Sequence, residues 1–309
     1  MKKFYYIAVI AVFLWGSAGA TPNPKNLKLA SNNALILELG ATSPLYEKKA
    51  DSPTPIASLT KLMTAMIVLD SGLSLKEEID VGREDLDYVK GSHSRLRLGT
   101  WLTRGEMLRL ALMSSENHAA AALARHYPGG RTAFVVEMNA KAHQLGLKQT
   151  SFSDSTGLSP ENVSTAQDLA TLVQAATRYP LIREYTTTPE YSVELSPTGR
   201  KLEFQNSNRL VRAHNGWDIS LQKTGYINEA GRCLVMITRI AQKDFVIVLL
   251  DSVGKYTRLG DAKRVKTWIE TGKSGDLPKI ITGDKKTSDA TTVKPTTPAK
   301  KTKKKKAKH

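Results

Sequence analysis

The chain has 309 residues, 40% of them hydrophobic, and a formal net charge of +16. That apolar content supports a real core and excludes a wholly disordered chain, while a single cysteine, Cys233, excludes an intramolecular disulfide. Much of the positive charge is local, in Lys300, Lys301, Lys303, Lys304, Lys305, Lys306 and Lys308, so the excess does not describe the folded part.

Lys2 and Lys3, an apolar run from Phe4 to Trp15 and the small-residue site Ala18-Gly19-Ala20 have the three-part form of an export signal. Cleavage is predicted between Ala20 and Thr21, which places the mature protein in the periplasm. An uncleaved anchor is the alternative, but the run falls short of the roughly 20 residues that a spanning helix needs. Thr21 to Lys25 reads as a linker, and Ala34 to Leu39 as a strand with a hairpin partner at Leu45-Tyr46-Glu47. Pro53 and Pro55 break the chain before a helix that runs from Ser58 to about Asp70 and ends at Gly72. Residues 76–98 show no clean periodicity and are expected to be loops and short pieces. Thr103 and Glu106 form a capping box that opens a helix ending at Ser114-Ser115-Glu116-Asn117, where the alanine-rich run from His118 to Arg125 begins another. A helix from about Thr132 to Leu145 is stopped by Gly146. A polar loop from Ser153 to Asn162 precedes a helix capped by Ser164 or Thr165.

Strand patterns dominate from Tyr191 onwards: 191–195 and 202–204, then Ile219 to Thr224, Cys233 to Ile240 and Phe245 to Leu250. An amphipathic helix, about Tyr256 to Glu270, closes the folded part. Strand pair, helices, strand run and helix together predict an α+β fold, an antiparallel sheet flanked by helices. Beyond Gly275 large apolar residues nearly vanish, so the domain is expected over residues 21–272 and a disordered Lys-rich tail over 273–309. A tail of this kind is either a solvated solubility tail or an electrostatic attachment to anionic envelope polymers. Nucleic acid is not expected, because the chain is exported and the tail lacks interleaved aromatics.

Three short signals carry chemistry: Ser58-x-x-Lys61, Ser115-x-Asn117 and Lys223-Thr224-Gly225. On a helix, residues three apart share a face, so Ser58 and Lys61 can hydrogen-bond as a nucleophile and its base. The structural alternative is a helix cap at Ser58 and a solvated Lys61. Ser115 and Asn117 taken alone read as helix capping, and Lys223 alone as an exposed strand lysine. Chance matches exist at Ser220-x-x-Lys223, Ser252-x-x-Lys255 and Ser31-x-Asn33, but strand geometry points Ser220 and Lys223 to opposite faces, and Ser252 precedes no apolar helix start. A lysine can take a serine proton only as a neutral amine, which requires burial or a second cation, and Lys223 is the available cation. His93, His118, His126, His143 and His214 form no metal-spaced pair, so neither metal nor cofactor is expected.

In that order and at those separations the motifs resemble the penicillin-binding and serine β-lactamase superfamily. Ala57-Ser58-Leu59-Thr60-Lys61-Leu62-Met63-Thr64-Ala65, Ser115-Glu116-Asn117 and Lys223-Thr224-Gly225-Tyr226 are most similar to the low-molecular-mass D-alanyl-D-alanine peptidases, endopeptidase branch (penicillin-binding protein 7/8 type). Glu116 stands where the superfamily often has Asp. The resemblance spans roughly residues 27 to 270 and implies the transpeptidase-like fold, peptidoglycan stems as substrate and β-lactams as covalent inhibitors. It implies Ser58 as nucleophile, Lys61 as base and Ser115 as proton relay, with Asn117, Lys223 and Thr224 binding substrate. Gly225 would let substrate lie against its strand, and the backbone N–H groups of Ser58 and Tyr226 would form the oxyanion hole. Cleavage of D-Ala-diaminopimelate cross-links is expected over carboxypeptidase action, because no second β domain or anchor helix follows the catalytic part. A non-catalytic wall-binding module and a β-lactamase using Glu161 for deacylation are the other readings.

Overall fold

The computed structural model describes residues 22–277 apart from 88, 89, 92, 93, 197 and 213–215. The export signal, nearly all of the Lys-rich tail, His93 and His214 therefore lie outside the described residues.

From the N-terminus come β1 (Asn33–Glu38), β2 (Tyr46–Lys48), β3 (Thr54–Pro55), a 3-10 turn (Ala57–Thr60) and α1 (Lys61–Asp70). β4 (Glu78–Asp80) and β5 (Trp101–Thr103) lead into α2 (Arg104–Met113), α3 (Asn117–Arg125) and α4 (Gly130–Gln144). Next are β6 (Val163–Ser164), α5 (Ala166–Ala176), α6 (Pro180–Thr187) and the hairpin of β7 (Glu190–Leu195) with β8 (Arg200–Gln205). The chain ends in α7 (Arg209–Arg212), β9 (Asp218–Ile227), β10 (Gly231–Ile240), β11 (Lys243–Ser252) and α8 (Thr257–Thr271).

One antiparallel sheet, in the order β2-β1-β11-β10-β9, joins the N-terminal strand pair to the late strand run. This is the expected α+β architecture. Alternation along each strand splits the interior in two. Leu35, Val235, Ile237, Val246 and Val248 face the helical core with α1, α2, α3 and α5, whereas Ile36, Leu234, Met236, Ile247 and Leu249 face α8. The central strands are apolar on both sides because helices cover both. β9 is an edge, so one side of its backbone is left to face the helical lobe.

Several details differ from the sequence expectation. The helix predicted from Ser58 begins at Lys61, after a 3-10 turn, and Ser58 caps nothing. Residues 76–98 contain β4, which pairs with β5. The short β3–β6 pair, α6 and α7 carry too few periodic apolar residues to be recognised. The capping box at Thr103 and Glu106 and the cap at Thr165 are present as expected.

α8 is pinned by a buried carboxylate. Asp261 accepts from Ala30 N (3.0 Å), Ser31 N (2.7 Å), Ser31 Oγ (2.5 Å) and the Arg264 guanidinium. Seven residues further along α8, Trp268 is fully buried and donates to Asn23 O at 2.9 Å. Replacing Asp261 by Ala leaves buried donors unmatched and is expected to lower stability by about 3 kcal/mol, against about 1 kcal/mol for Ser31→Ala. Urea unfolding of both variants checks this, and an Asp261→Ala loss no larger than that of Ser31→Ala would refute it.

Candidate active site

The turn that holds Ser58 is built under strain. Ala57 has φ +48°, outside the region that non-glycine residues favour, and the residues after it wind as a 3-10 turn before α1 begins. Residues three apart nearly eclipse in such a turn, so Lys61 stands directly over Ser58. Lys61 Nζ lies 3.0 Å from Ser58 Oγ, 2.6 Å from Asn117 Oδ1 and 2.6 Å from Thr156 O. Lys61 is completely buried, and Ser58 is only partly so.

Two glycines make room for this turn. A Cβ on Gly157 (φ +82°) would sit 2.0 Å from Ala57 O and 2.9 Å from Ser58 N. One on Gly225 would meet Ile56 O at 3.0 Å and Ser58 N at 3.1 Å. The Ser58 turn thus crowds the space beside Gly225, a reason for a small residue there in addition to close approach of substrate. Asp154 shapes the Gly157 side: its carboxylate accepts from Thr156 N (2.5 Å), Gly157 N (2.7 Å) and Ser159 N (2.8 Å). That loop then presents Thr156 O to Lys61 and Ser155 O to Thr64 Oγ1 (2.6 Å).

The second and third motifs meet at another serine–lysine pair. Ser115, in the left-handed region at φ +65° between α2 and α3, accepts from Lys223 Nζ at 2.9 Å. Lys223 is fully buried on β9 and also donates to Thr224 O at 2.9 Å. Thr224 Oγ1 is 2.7 Å from Ser207 Oγ. Asn117 opens α3, and the buried Glu116 accepts from Arg95 N (3.1 Å) and from the Ser94 hydroxyl, tying down residues 94–95. Tyr226 is half exposed, with its hydroxyl on Asn228 Oδ1 at 2.9 Å and the Arg232 guanidinium 4.2 Å from its ring centre.

Burial pushes Lys61 down to about 7, against the opposing charges of Asp154 and Glu116. Lys223 is held well below its ordinary range by burial first, and then by Lys61 and Arg258. The expected lowering of Lys61 is therefore present, but desolvation is its main cause, ahead of any second cation. Arg258 is buried, and its Nε and Nη1 have no hydrogen-bond partner among the described residues. Burial and Arg232 bring its guanidinium down to about 10. Of the eight residues expected at the site, Ser58, Lys61 and Asn117 form one hydrogen-bonded group, and Ser115, Lys223 and Thr224 a second. Gly225 packs between strand and turn, and Tyr226 follows on the same strand.

Residues 19–254 match the family described as D-alanyl-D-alanine carboxypeptidase. The chain belongs to that family. As one of its serine DD-peptidases, it hydrolyses D-Ala bonds of peptidoglycan, as endopeptidase or carboxypeptidase. It is 47% identical to a D-alanyl-D-alanine endopeptidase of Pseudomonas aeruginosa, over 85% of this chain and 86% of that one. It is 48% identical to a D-alanyl-D-alanine endopeptidase of Escherichia coli, over 84% and 83% respectively. The DD-transpeptidase of Streptomyces K15 superposes with a TM-score of 0.70 at 29% identity, over 76% of this chain and 95% of that one. Penicillin-binding protein D2 of Listeria monocytogenes, in a cefotaxime-bound form, superposes with a TM-score of 0.68 at 29% identity, over 80% and 98%.

Asp154 and Gly157 belong to a stretch, Asp154-Ser155-Thr156-Gly157-Leu158-Ser159, that resembles the loop of such peptidases in sequence, but its packing against the Ser58 turn is visible only in the structure. Two further residues near the candidate site escape a sequence reading. Ser207 and Arg258 lie in no motif and reach the site only through the fold.

Because the Lys61 ammonium is disfavoured in the folded DD-peptidase, the unfolded chain holds more protons between about pH 7 and the ordinary lysine value of 10.5. Stability should therefore rise with pH across that window, by at most about 1.4 kcal/mol per pH unit. Urea unfolding at pH 7 and pH 9 should show a steeper rise for wild type than for Lys61→Met. Equal slopes would mean that Lys61 keeps its proton when folded.

Proposed function

We propose that this enzyme cleaves D-Ala-diaminopimelate cross-links of peptidoglycan through an acyl-enzyme on Ser58. The observation that carries the catalytic part is the set of acceptors around Lys61. A neutral amine has two N–H groups and one lone pair. Asn117 Oδ1 and Thr156 O, neither of which can donate, take the two N–H groups at 2.6 Å each. The lone pair is then left for the Ser58 hydroxyl at 3.0 Å, which is the arrangement a general base needs. With its pKa brought to about 7, an appreciable share of Lys61 is in that form at neutral pH.

Proton delivery to the leaving amine falls to Ser115. Its oxygen accepts from Lys223, which leaves its own hydrogen free to point into the cleft. The oxyanion is assigned to the backbone N–H groups of Ser58 and Tyr226, and the pinning of Ser58 N between Gly157 and Gly225 supports this. Lys223, Thr224 and the unpartnered N–H groups of Arg258 form the anchor for a carboxylate.

That anchor suits both reactions. Released D-Ala carries a carboxylate beside its amine, and so does the diaminopimelate centre released from a cross-link. The endopeptidase preference is supported by the two relatives of that name described above. Beside Asn117 and Thr156, a cavity of about 540 Å³ lined by Leu86, Ala121, Val135 and Leu158 leaves room for the peptide on the acyl side. A β-lactamase is disfavoured because Glu161 is exposed and, among the described residues, its hydrogen bond runs through its backbone N–H to Ser159 Oγ (3.1 Å).

Purified cross-linked muropeptide dimers should be split to monomers by wild type and left intact by Ser58→Ala, with a penicillin adduct mapping to Ser58. Pentapeptides that lose D-Ala while dimers survive would overturn the endopeptidase reading. The acylation rate should climb as pH rises through about 7 and then level off, since only the neutral Lys61 can take the proton. Lys61→Arg should lower it about 10²–10⁴-fold at all pH values.

The same reading places the enzyme in the periplasm after removal of residues 1–20, with the Lys-rich tail on an anionic envelope surface. The mature protein should begin at Thr21 by intact mass, and deletion of residues 276–309 should reduce envelope retention at low salt. Retention that does not change on deletion would remove the tail's role.

A further inference from the structure

Two residues along the chain from each of Ser207 and Arg258 lies a member of an exposed cation–aromatic cluster. Ser207, hydrogen-bonded to Thr224 at 2.7 Å, is followed two residues later by Arg209. Arg258, the buried member of the anchor, is preceded two residues earlier by Tyr256. These two segments meet at one ring: the Arg209 guanidinium lies 4.8 Å, and Lys255 Nζ 5.7 Å, from the Tyr256 ring centre. Tyr256 is 47% exposed, Arg209 and Lys255 are exposed, and neither cation has a carboxylate partner among the described residues.

On the proposed reading Ser115 and Lys223 serve the leaving amine, and Thr224, Ser207 and Arg258 its carboxylate, whereas Asn117 and Thr156 serve the acyl end. The cation–aromatic cluster is joined in the chain to two of the carboxylate-side residues, Ser207 and Arg258. We infer that Arg209, Lys255 and Tyr256 form a subsite for the acceptor strand of a cross-link, an acidic peptide whose aliphatic part lies on the Tyr256 ring and whose carboxylate meets Arg209 and Lys255. The inference rests on the endopeptidase reading. A lone D-Ala ends at the anchor and does not reach this surface, so the subsite separates the two substrates. Exposed charge contacts are individually weak, and their attraction falls with salt.

The test compares wild type, the double variant Arg209→Gln/Lys255→Gln, and Arg209→Lys. Three substrates are used: a cross-linked muropeptide dimer, the same dimer amidated at the glutamyl carboxylate of its acceptor stem, and penicillin. The double variant should raise KM for the acidic dimer about tenfold at low salt, with kcat and penicillin acylation within about twofold of wild type. Arg209→Lys should keep most of the affinity, and wild type should show the raised KM on the amidated dimer. A double variant with unchanged KM for the acidic dimer, or with slowed penicillin acylation, overturns the subsite and leaves the endopeptidase reading standing. A wild type that leaves dimers intact overturns that reading, and the subsite with it.

Discussion

The site depends on keeping a lysine amine dry. Lys61 has no solvent exposure, so its ammonium must find every partner inside the protein or give up its proton. The fold supplies three acceptors from three separate stretches: Ser58 from the turn before α1, Asn117 from the start of α3 and Thr156 from the loop after α4. Only two of these are fixed carbonyl oxygens, and the third is a hydroxyl that can reverse its role. In the proposed mechanism that asymmetry turns a buried cation into a base aimed at one atom. Asp154 and Glu116 temper the effect through their charge, which keeps Lys61 near 7 where burial alone would drive it lower.

Much of the surrounding architecture serves to bring those stretches together. The turn carrying Ser58 is clamped between Gly157, where a Cβ would clash outright, and Gly225, where one would crowd the turn from the other side. One clamp belongs to a loop and the other to the edge strand of the sheet, so Ser58, the proposed nucleophile, is located at the junction of the helical and sheet parts. Ile56 N donates to Asn162 O at 3.0 Å, and the β3–β6 pair holds the same two stretches in register. The positive φ angles of Ala57 and Ser115 fall on the two turns that present the Ser58 and Ser115 hydroxyls. Strain at both places is held by the packing around them.

How much of this could be read from the chain depended on how local each signal was. The central strands and α5 were legible because their apolar spacing is continuous, and α2 because Thr103 and Glu106 announce its start. The three motifs were legible because each is short and their order is restrictive. Ser58 as the head of an α-helix was misread, since the strain at Ala57 that creates the 3-10 turn leaves no mark in residue type. The cause of the Lys61 shift was also only half visible. A sequence shows a second lysine but not how deeply the first is buried. Gly225 could be recognised as special, but the partner that crowds it, the backbone of residues 56–58, lies far away in the chain. Ser207 and Arg258 were out of reach for the same reason.

Under the proposed function, the buried charges of Lys223 and Arg258 are what the fold sets aside for its substrate. Lys223 and Arg258 are both buried, both lowered by burial and by neighbouring cations, and Arg258 keeps two N–H groups without a partner. Without an anion these groups are a net liability, because desolvated cations repel one another and an unmatched buried donor costs about 1–3 kcal/mol. In the proposed anchor, a carboxylate brought between them would satisfy the orphaned donors and offset the repulsion together, so that stability withheld from the free protein would reappear as affinity for the leaving residue. Lys61 follows the opposite logic. Its hydrogen bonds are complete before substrate arrives, so binding energy is not spent on orienting the base. The two lysines, alike in burial and each paired with a serine, are thus distinguished by what their other neighbours lack: nothing around Lys61, and an anion around Lys223.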